Sequence, residues 1–294
     1  MASGTPRPDR RWQLATLAPL TKLRVSPESK HALAVDELQN LYLFDPLGVL
    51  AAQTKLDAPI VDAAISGDGR AIVVATFAGK LLWLDRQFQV RRSDQVQQPV
   101  GVAVDAHGWY AAVALANTTL VLDCYGRECH RLRSPRPLTH MAFVADSSEI
   151  VASSSYGLLA RYGLDGEATW SHNLASRVSA AAVDATGKRI ALAAFAQGLL
   201  RFDGRGEAIG SLQNIEMPSA VDLSADGRWI FTASLRQQLS LLTFLGDVVW
   251  QESSDGPIVD VALDPLARWG WYALETGRVG CLDFTPVVSA VPGG

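Results

Sequence analysis

Ser224-Ala225-Asp226-Gly227-Arg228-Trp229-Ile230-Phe231-Thr232-Ala233 sets a tight polar turn directly before a run of apolar and β-branched residues. That order is expected where two strands meet in a hairpin. The arrangement recurs at Ser66-Gly67-Asp68-Gly69-Arg70 before Ile72-Val73-Val74-Ala75, and at Asp184-Ala185-Thr186-Gly187-Lys188 before Ile190-Ala191-Leu192-Ala193. Looser versions stand at Ser26-Pro27-Glu28, Asp105-Ala106-His107-Gly108, Val144-Ala145-Asp146 and Asp264-Pro265. The seven turn starts, 26, 66, 105, 144, 184, 224 and 264, are separated by 40, 39, 39, 40, 40 and 40 residues. A period of that length across a whole chain is the mark of a repeat array.

Each unit reads as four strands. Before the turn, apolar residues alternate with a period of two, as in Val61, Ala63, Ile65 and in Val259, Val261, Leu263, the pattern of a strand. After the turn the second strand is near-continuously apolar, as a strand covered on both faces should be. A third strand ends in Asp, as in Leu41-Tyr42-Leu43-Phe44-Asp45 and Leu81-Leu82-Trp83-Leu84-Asp85, and a more polar fourth follows a Gly turn, as in Gly246-Asp247-Val248-Val249-Trp250. Four short antiparallel strands per forty residues describe the blade of a β-propeller. The expected fold is therefore all-β, a seven-bladed propeller of four-stranded antiparallel blades.

The turn-and-strand pattern S-x-D-G-R-x-I-x-x-A, with a third strand ending in L-x-D or F-x-D, resembles the WD-repeat and YVTN-like propellers and covers nearly the whole chain. No unit has the Gly-His start or the Trp-Asp end of the WD family, so that family's Asp/His tetrad is not carried over. Trp170 and Trp250 lie 14 residues before the next turn start, and Trp12 lies 14 residues before Ser26. Arg11 to Leu17 thus reads as an orphan fourth strand that closes the ring by completing the seventh blade, removing sheet edges that would invite aggregation. The rival is closure by a C-terminal strand over 287–291. The expected boundaries are a flexible tail over 1–10, one propeller over 11–291, and a tail over 292–294.

Composition narrows the function classes. The 294 residues are 48% hydrophobic and 19% charged, with a net charge of −4, which gives no global pull towards nucleic acid or a membrane surface. Polar residues interrupt every apolar stretch before it reaches a membrane-spanning length. The N-terminal residues lack the apolar core of a secretory signal, so a cytoplasmic location is expected. Cys124, Cys129 and Cys281 form neither a disulfide framework nor a paired zinc motif. No cofactor is expected. The glycines of Gly204 to Gly210 sit in a turn between two strands, out of the strand-to-helix context a dinucleotide fingerprint needs.

Three sets of residues are candidates for function. On the first strands, the position two before the turn carries Ala64, Ala103, Ala142, Ala182 and Ala262, broken by Arg24 and Asp222. The position four before it carries Lys22, Asp62, His140 and Asp260 among smaller residues. Lys22, Asp62, His140, Asp222 and Asp260 are therefore the candidate channel network, with Asp260, Lys22 and Asp62 expected side by side. Its plainest role is an interblade salt-bridge network; its sharper one is a site for a cation or small polar ligand. Loops between second and third strands emerge on one face and offer Tyr156, Arg236, Arg278, Glu37 and Asn117 as a partner surface. Phe77 and Phe195 occupy the same repeat position there, which favours a structural role. Arg91, Arg92, Arg131 and Arg133 lie on or beside adjacent outer strands as a basic rim, with Asp85, Asp94 and Glu128 as its compensating charges.

The expected function is a non-catalytic protein–protein interaction scaffold, a subunit of a larger cytoplasmic assembly, with other protein subunits as partners and neither membrane nor nucleic acid among them. The alternatives are a lactonase- or hydrolase-type propeller enzyme and a small-ligand sensor, each with its site at the central channel.

Overall fold

The computed structural model describes residues 6–145, 147–163 and 165–291. Seven four-stranded antiparallel sheets form the ring, six of them from consecutive strands: residues 20–55, 60–95, 101–133, 140–173, 178–212 and 218–253 are blades 1 to 6. Blade 7 joins residues 258–283 to the N-terminal strand Asp9–Ala15, which pairs antiparallel with Arg278–Asp283. Closure by the N-terminal strand is thus as expected, with two differences. The strand begins at Asp9, inside the expected tail, because Asp9 and Arg10 continue the ladder opposite Asp283 and Leu282. The C-terminal segment, the rival closing strand, instead forms a short helix, Thr285–Val288. Phe284 ahead of it packs edge-on against Phe231 and Trp250, at 5.2 and 5.3 Å between ring centres. The expected tail residues 1–5 and 292–294, and the turn residue Asp146, lie outside the described residues.

The forty-residue period has a repeated physical cause. At each turn start the backbone N–H donates to the carbonyl five residues on: Ser26 to His31, Ser66 to Ala71, Asp105 to Tyr110, Val144 to Glu149, Asp184 to Arg189, Ser224 to Trp229 and Asp264 to Trp269. Side-chain oxygens brace these turns, with Ser66 Oγ accepting from Ala71 N–H and Asp105 Oδ1 from Tyr110 N–H, which is why Ser and Asp recur there. The third-strand Asp does a similar job one hairpin later. Asp45 Oδ1 accepts from Leu47 and Val49 N–H, and Asp85 and Asp203 repeat that geometry.

Second strands are covered apart from a half-buried first residue in four of them, in keeping with their apolar character; residues 32–36, 72–76 and 229–234 are all buried. Their side chains feed seven apolar clusters, each bridging two neighbouring blades. The cluster that spans blades 7 and 1 contains Trp12. Its indole N–H donates to Pro46 O at 3.3 Å in the neighbouring blade, and its ring lies against Gly48, where a Cβ would stand 2.6 Å from Trp12 Cγ. With φ at +84° as well, position 48 accepts glycine best. Trp170 repeats the device between blades 4 and 5, donating to Gly204 O at 3.1 Å.

Trp12→Ala removes this half-buried bridge while leaving the strand pairing intact. The expected loss is about 2 kcal/mol, below the ~3–5 kcal/mol of a fully buried tryptophan. That corresponds to a fall of roughly 5 °C in the thermal unfolding midpoint. An unchanged midpoint would show that the Trp12 bridge does not contribute to fastening the ring.

Candidate functional site

The innermost strands surround a central cavity of about 390 Å³, and Lys22, Asp62, His140, Asp222 and Asp260 all line it, with Arg24 among them. Alternate residues of a strand share a face; small residues such as Ala64, Ala103, Ala142 and Ala262 on that face leave room for the few long side chains.

The charged groups join five consecutive blades, 6, 7, 1, 2 and 3. Arg24 of blade 1 reaches Asp260 of blade 7 at 2.5 Å and Asp62 of blade 2 at 3.4 Å, while Lys22 stands 3.4 Å from Asp62. Asp62 accepts a hydrogen bond from Val102 N–H of blade 3 at 3.0 Å. Asp222 of blade 6 accepts from Leu263 N–H of blade 7 at 2.7 Å and from Leu223 N–H at 2.9 Å. The expected trio was Asp260, Lys22 and Asp62; the contact to Asp260 is made by Arg24 instead. The signal was present in the sequence, since an arginine in a row of alanines needs a partner for its charge.

Protonation states follow from this geometry. Burial works against the Asp62 carboxylate, but Lys22, Arg24 and the Val102 N–H outweigh it and hold its pKa below the ordinary value. Burial likewise opposes the Arg24 charge, and Asp260 and Asp62 more than restore it. Asp222 differs: burial raises its pKa to about 7 despite two N–H donors, with Asp260 adding repulsion and Arg24 opposing it. His140 is lowered to about 4 by burial, with Arg24 and Lys22 adding to the shift, so it is neutral at pH 7. Its Nε2 and the Ser219 Oγ are buried without a hydrogen-bond partner. The side chains of Lys22 and Arg24 retain 35% exposure, so water reaches the network and weakens its ion pairs. Among the described residues, no group of three or more His, Cys, Asp or Glu is arranged to hold a metal ion.

The loop face is a second candidate. Glu37, Asn117 and Tyr156 are exposed there, Arg236 pairs with Glu216 at 2.7 Å, and Arg278 stands 3.5 Å from Asp255. Phe77 and Phe195, expected to be structural, are instead 80% and 46% exposed, and Leu235 is 56% exposed. What their shared position fixes is the backbone: Phe77 N–H donates to Pro59 O, Phe195 to Arg177 O and Leu235 to Met217 O, beside the inner connections. Glu37 and Glu275 occupy that position in blades 1 and 7, donating to Pro19 O and Pro257 O. The position is exposed and apolar in blades 2, 5 and 6 and carries a carboxylate in blades 1 and 7, the two that meet at the closure seam.

The basic rim is largely neutralised by the charges expected to compensate it. Arg91 pairs with Asp85, Arg92 with Asp94 and Arg131 with Glu128, at 2.5 to 2.6 Å; Arg133 is exposed on the same outer strand as Arg131. Neither a scan of protein-family models nor a search of curated proteins returned a match to this chain.

The raised Asp222 pKa has a signed consequence. Between pH 4 and 7 the folded protein retains a proton that the unfolded chain has released, so this group lowers stability as pH rises, by at most about 1.4 kcal/mol per pH unit. Asp222→Asn removes that dependence at the cost of one constant hydrogen-bond loss. Urea unfolding across this range is expected to show the variant gaining on the native protein up to pH 7 and levelling above it. A pH-independent difference would contradict the assigned state of Asp222.

Proposed function

We propose that this chain is a non-catalytic interaction scaffold, a WD-repeat or YVTN-like propeller serving as one subunit of a larger cytoplasmic assembly. The observation that carries this reading is the apolar arc of Phe77, Tyr156, Phe195 and Leu235, exposed on consecutive or near-consecutive blades of one face. Exposed aromatic and aliphatic groups concentrated on a rigid surface are the usual anchors of a protein interface. Glu37 and Glu275 at one end of the arc favour a partner with an apolar patch bordered by basic residues. The family assignment rests on the Ser/Asp/Gly turns and the third-strand Asp. The cytoplasmic one is supported by three free cysteines, one of them exposed, as suits a reducing compartment. No helix among the described residues is long and apolar enough to cross a membrane.

A small-ligand sensor is the second reading. The unpartnered His140 Nε2 and Ser219 Oγ in the channel favour it, because buried polar atoms ordinarily find a partner.

Affinity capture from the native cell with quantitative mass spectrometry tests the scaffold. A Phe77→Ser, Leu235→Ser double variant is expected to lose its co-purifying subunits by about tenfold or more, the effect of two moderate interface anchors. A Leu47→Ser, Leu245→Ser variant, altered on the opposite face, is expected to retain them. Equal recovery by both variants would overturn the choice of face.

A further inference from the structure

Blades 2 and 3 meet differently from blades 4 and 5 and from blades 5 and 6. In blades 4 and 5 the third strand carries an arginine that plugs the gap to the next blade: Arg161 donates to Gly187 O and Gly204 O, and Arg201 donates to Phe244 O. The cross-strand partner of Arg161 is Trp170, whose indole also donates across the gap. Blade 2 has this pair reversed, with Trp83 on the third strand and Arg92 opposite it on the fourth.

The reversal has two results. Trp83 is only 5% exposed, yet its indole N–H has no acceptor, a state that costs about 1–3 kcal/mol when left unrelieved. The gap also stays open as a groove of about 440 Å³, with Trp83 and Leu84 among its apolar residues and Arg70, Arg86, Arg91 and Arg92 around it. That volume lies within the range of small-molecule sites. Three of the arginines contact carboxylates: Arg70 with Asp68, Arg91 with Asp85 and Arg92 with Asp94. Arg86 donates instead to the carbonyls of Gly69 and Asp68, so the groove keeps one positive charge beyond these pairs. Arg92 is held in place by Asp94 and by Gly126, whose position could not take a Cβ without striking the guanidinium.

We propose that this groove binds a small organic anion, one carboxylate or phosphate carried on a flat aromatic body. The aromatic body covers the small part of Trp83 that the groove leaves exposed, and the anionic group meets the arginine rim. A bare anion lacks the apolar contact, and a neutral aromatic lacks the charge. The groove is built from the first-to-second and third-to-fourth strand turns and the strand ends that adjoin them, on the side opposite the loop face, so it stands or fails independently of the scaffold reading.

Cys124 lines the same groove and supplies the readout. Trypsin cleavage at Arg127 separates it from the exposed Cys129, which serves as the internal control. With ~1 mM phenyl phosphate or benzoate, alkylation of Cys124 is expected to slow about twofold or more while Cys129 is unaffected, as half-occupancy at a Kd of about 1 mM would give. The Trp83 indole resonance, assigned by its loss in Trp83→Phe, is expected to move in the same titration. Inorganic phosphate and benzyl alcohol should each do markedly less, and Arg70→Gln with Arg91→Gln, both on exposed side chains, should weaken binding without unfolding the protein. No protection and no shift up to ~10 mM of either aromatic acid would overturn the proposal. So would an equal response to benzyl alcohol or to inorganic phosphate, or a response unchanged in the double variant.

Discussion

Pairing of the strand Asp9–Ala15 with Arg278–Asp283 joins the first and last strands in one sheet, and every other blade contact presumes that closure. Each apolar cluster lies between two blades, so no blade completes its own core. An open arc would leave one face at each end bare and a free edge on the last sheet. The closing interface is fastened at three places. Trp12 bridges it near the outside, Lys30 of blade 1 pairs with Asp264 of blade 7 at the turns, and Arg24 ties the same two blades at the channel.

The channel charges acquire a structural meaning from this position. Arg24 is shared between Asp260 and Asp62, and Asp62 and Asp222 each accept a backbone N–H from the next blade. Blades 6, 7, 1, 2 and 3 are thereby linked through one polar belt, while the remaining inner strands line the channel with small or neutral residues such as Ala142, Ser179 and Ala180. Partial access of water lowers what each pair contributes. Direction and fit are the firmer consequences, since buried carboxylates select partners that can satisfy them.

Most of the architecture was legible because it depends on local rules repeated seven times. Turn residues with side-chain acceptors, alternation on inner strands and continuous apolar second strands each leave a periodic trace, and the 14-residue offset of Trp12 exposed the closure. What escaped depends on side-chain reach and direction. Lys22 and Arg24 both stood in view, but only three dimensions show which extends to Asp260. Phe77 and Phe195 share a position for their backbone hydrogen bonds, and a sequence cannot separate that constraint from burial of the ring. The exchange of Trp83 and Arg92 is visible only against the register that pairs them.

Closure by the N-terminal strand also imposes an order on folding. Asp9 finds its partner, Asp283, 274 residues later, against neighbouring hairpin partners within a blade. By loop-closure entropy that final contact costs about 3 kcal/mol more than a local one. During synthesis the first strand emerges long before the sheet it completes. Until the last blade has left the ribosome, the strand around Trp12 has no sheet to join, and its apolar side stays bare.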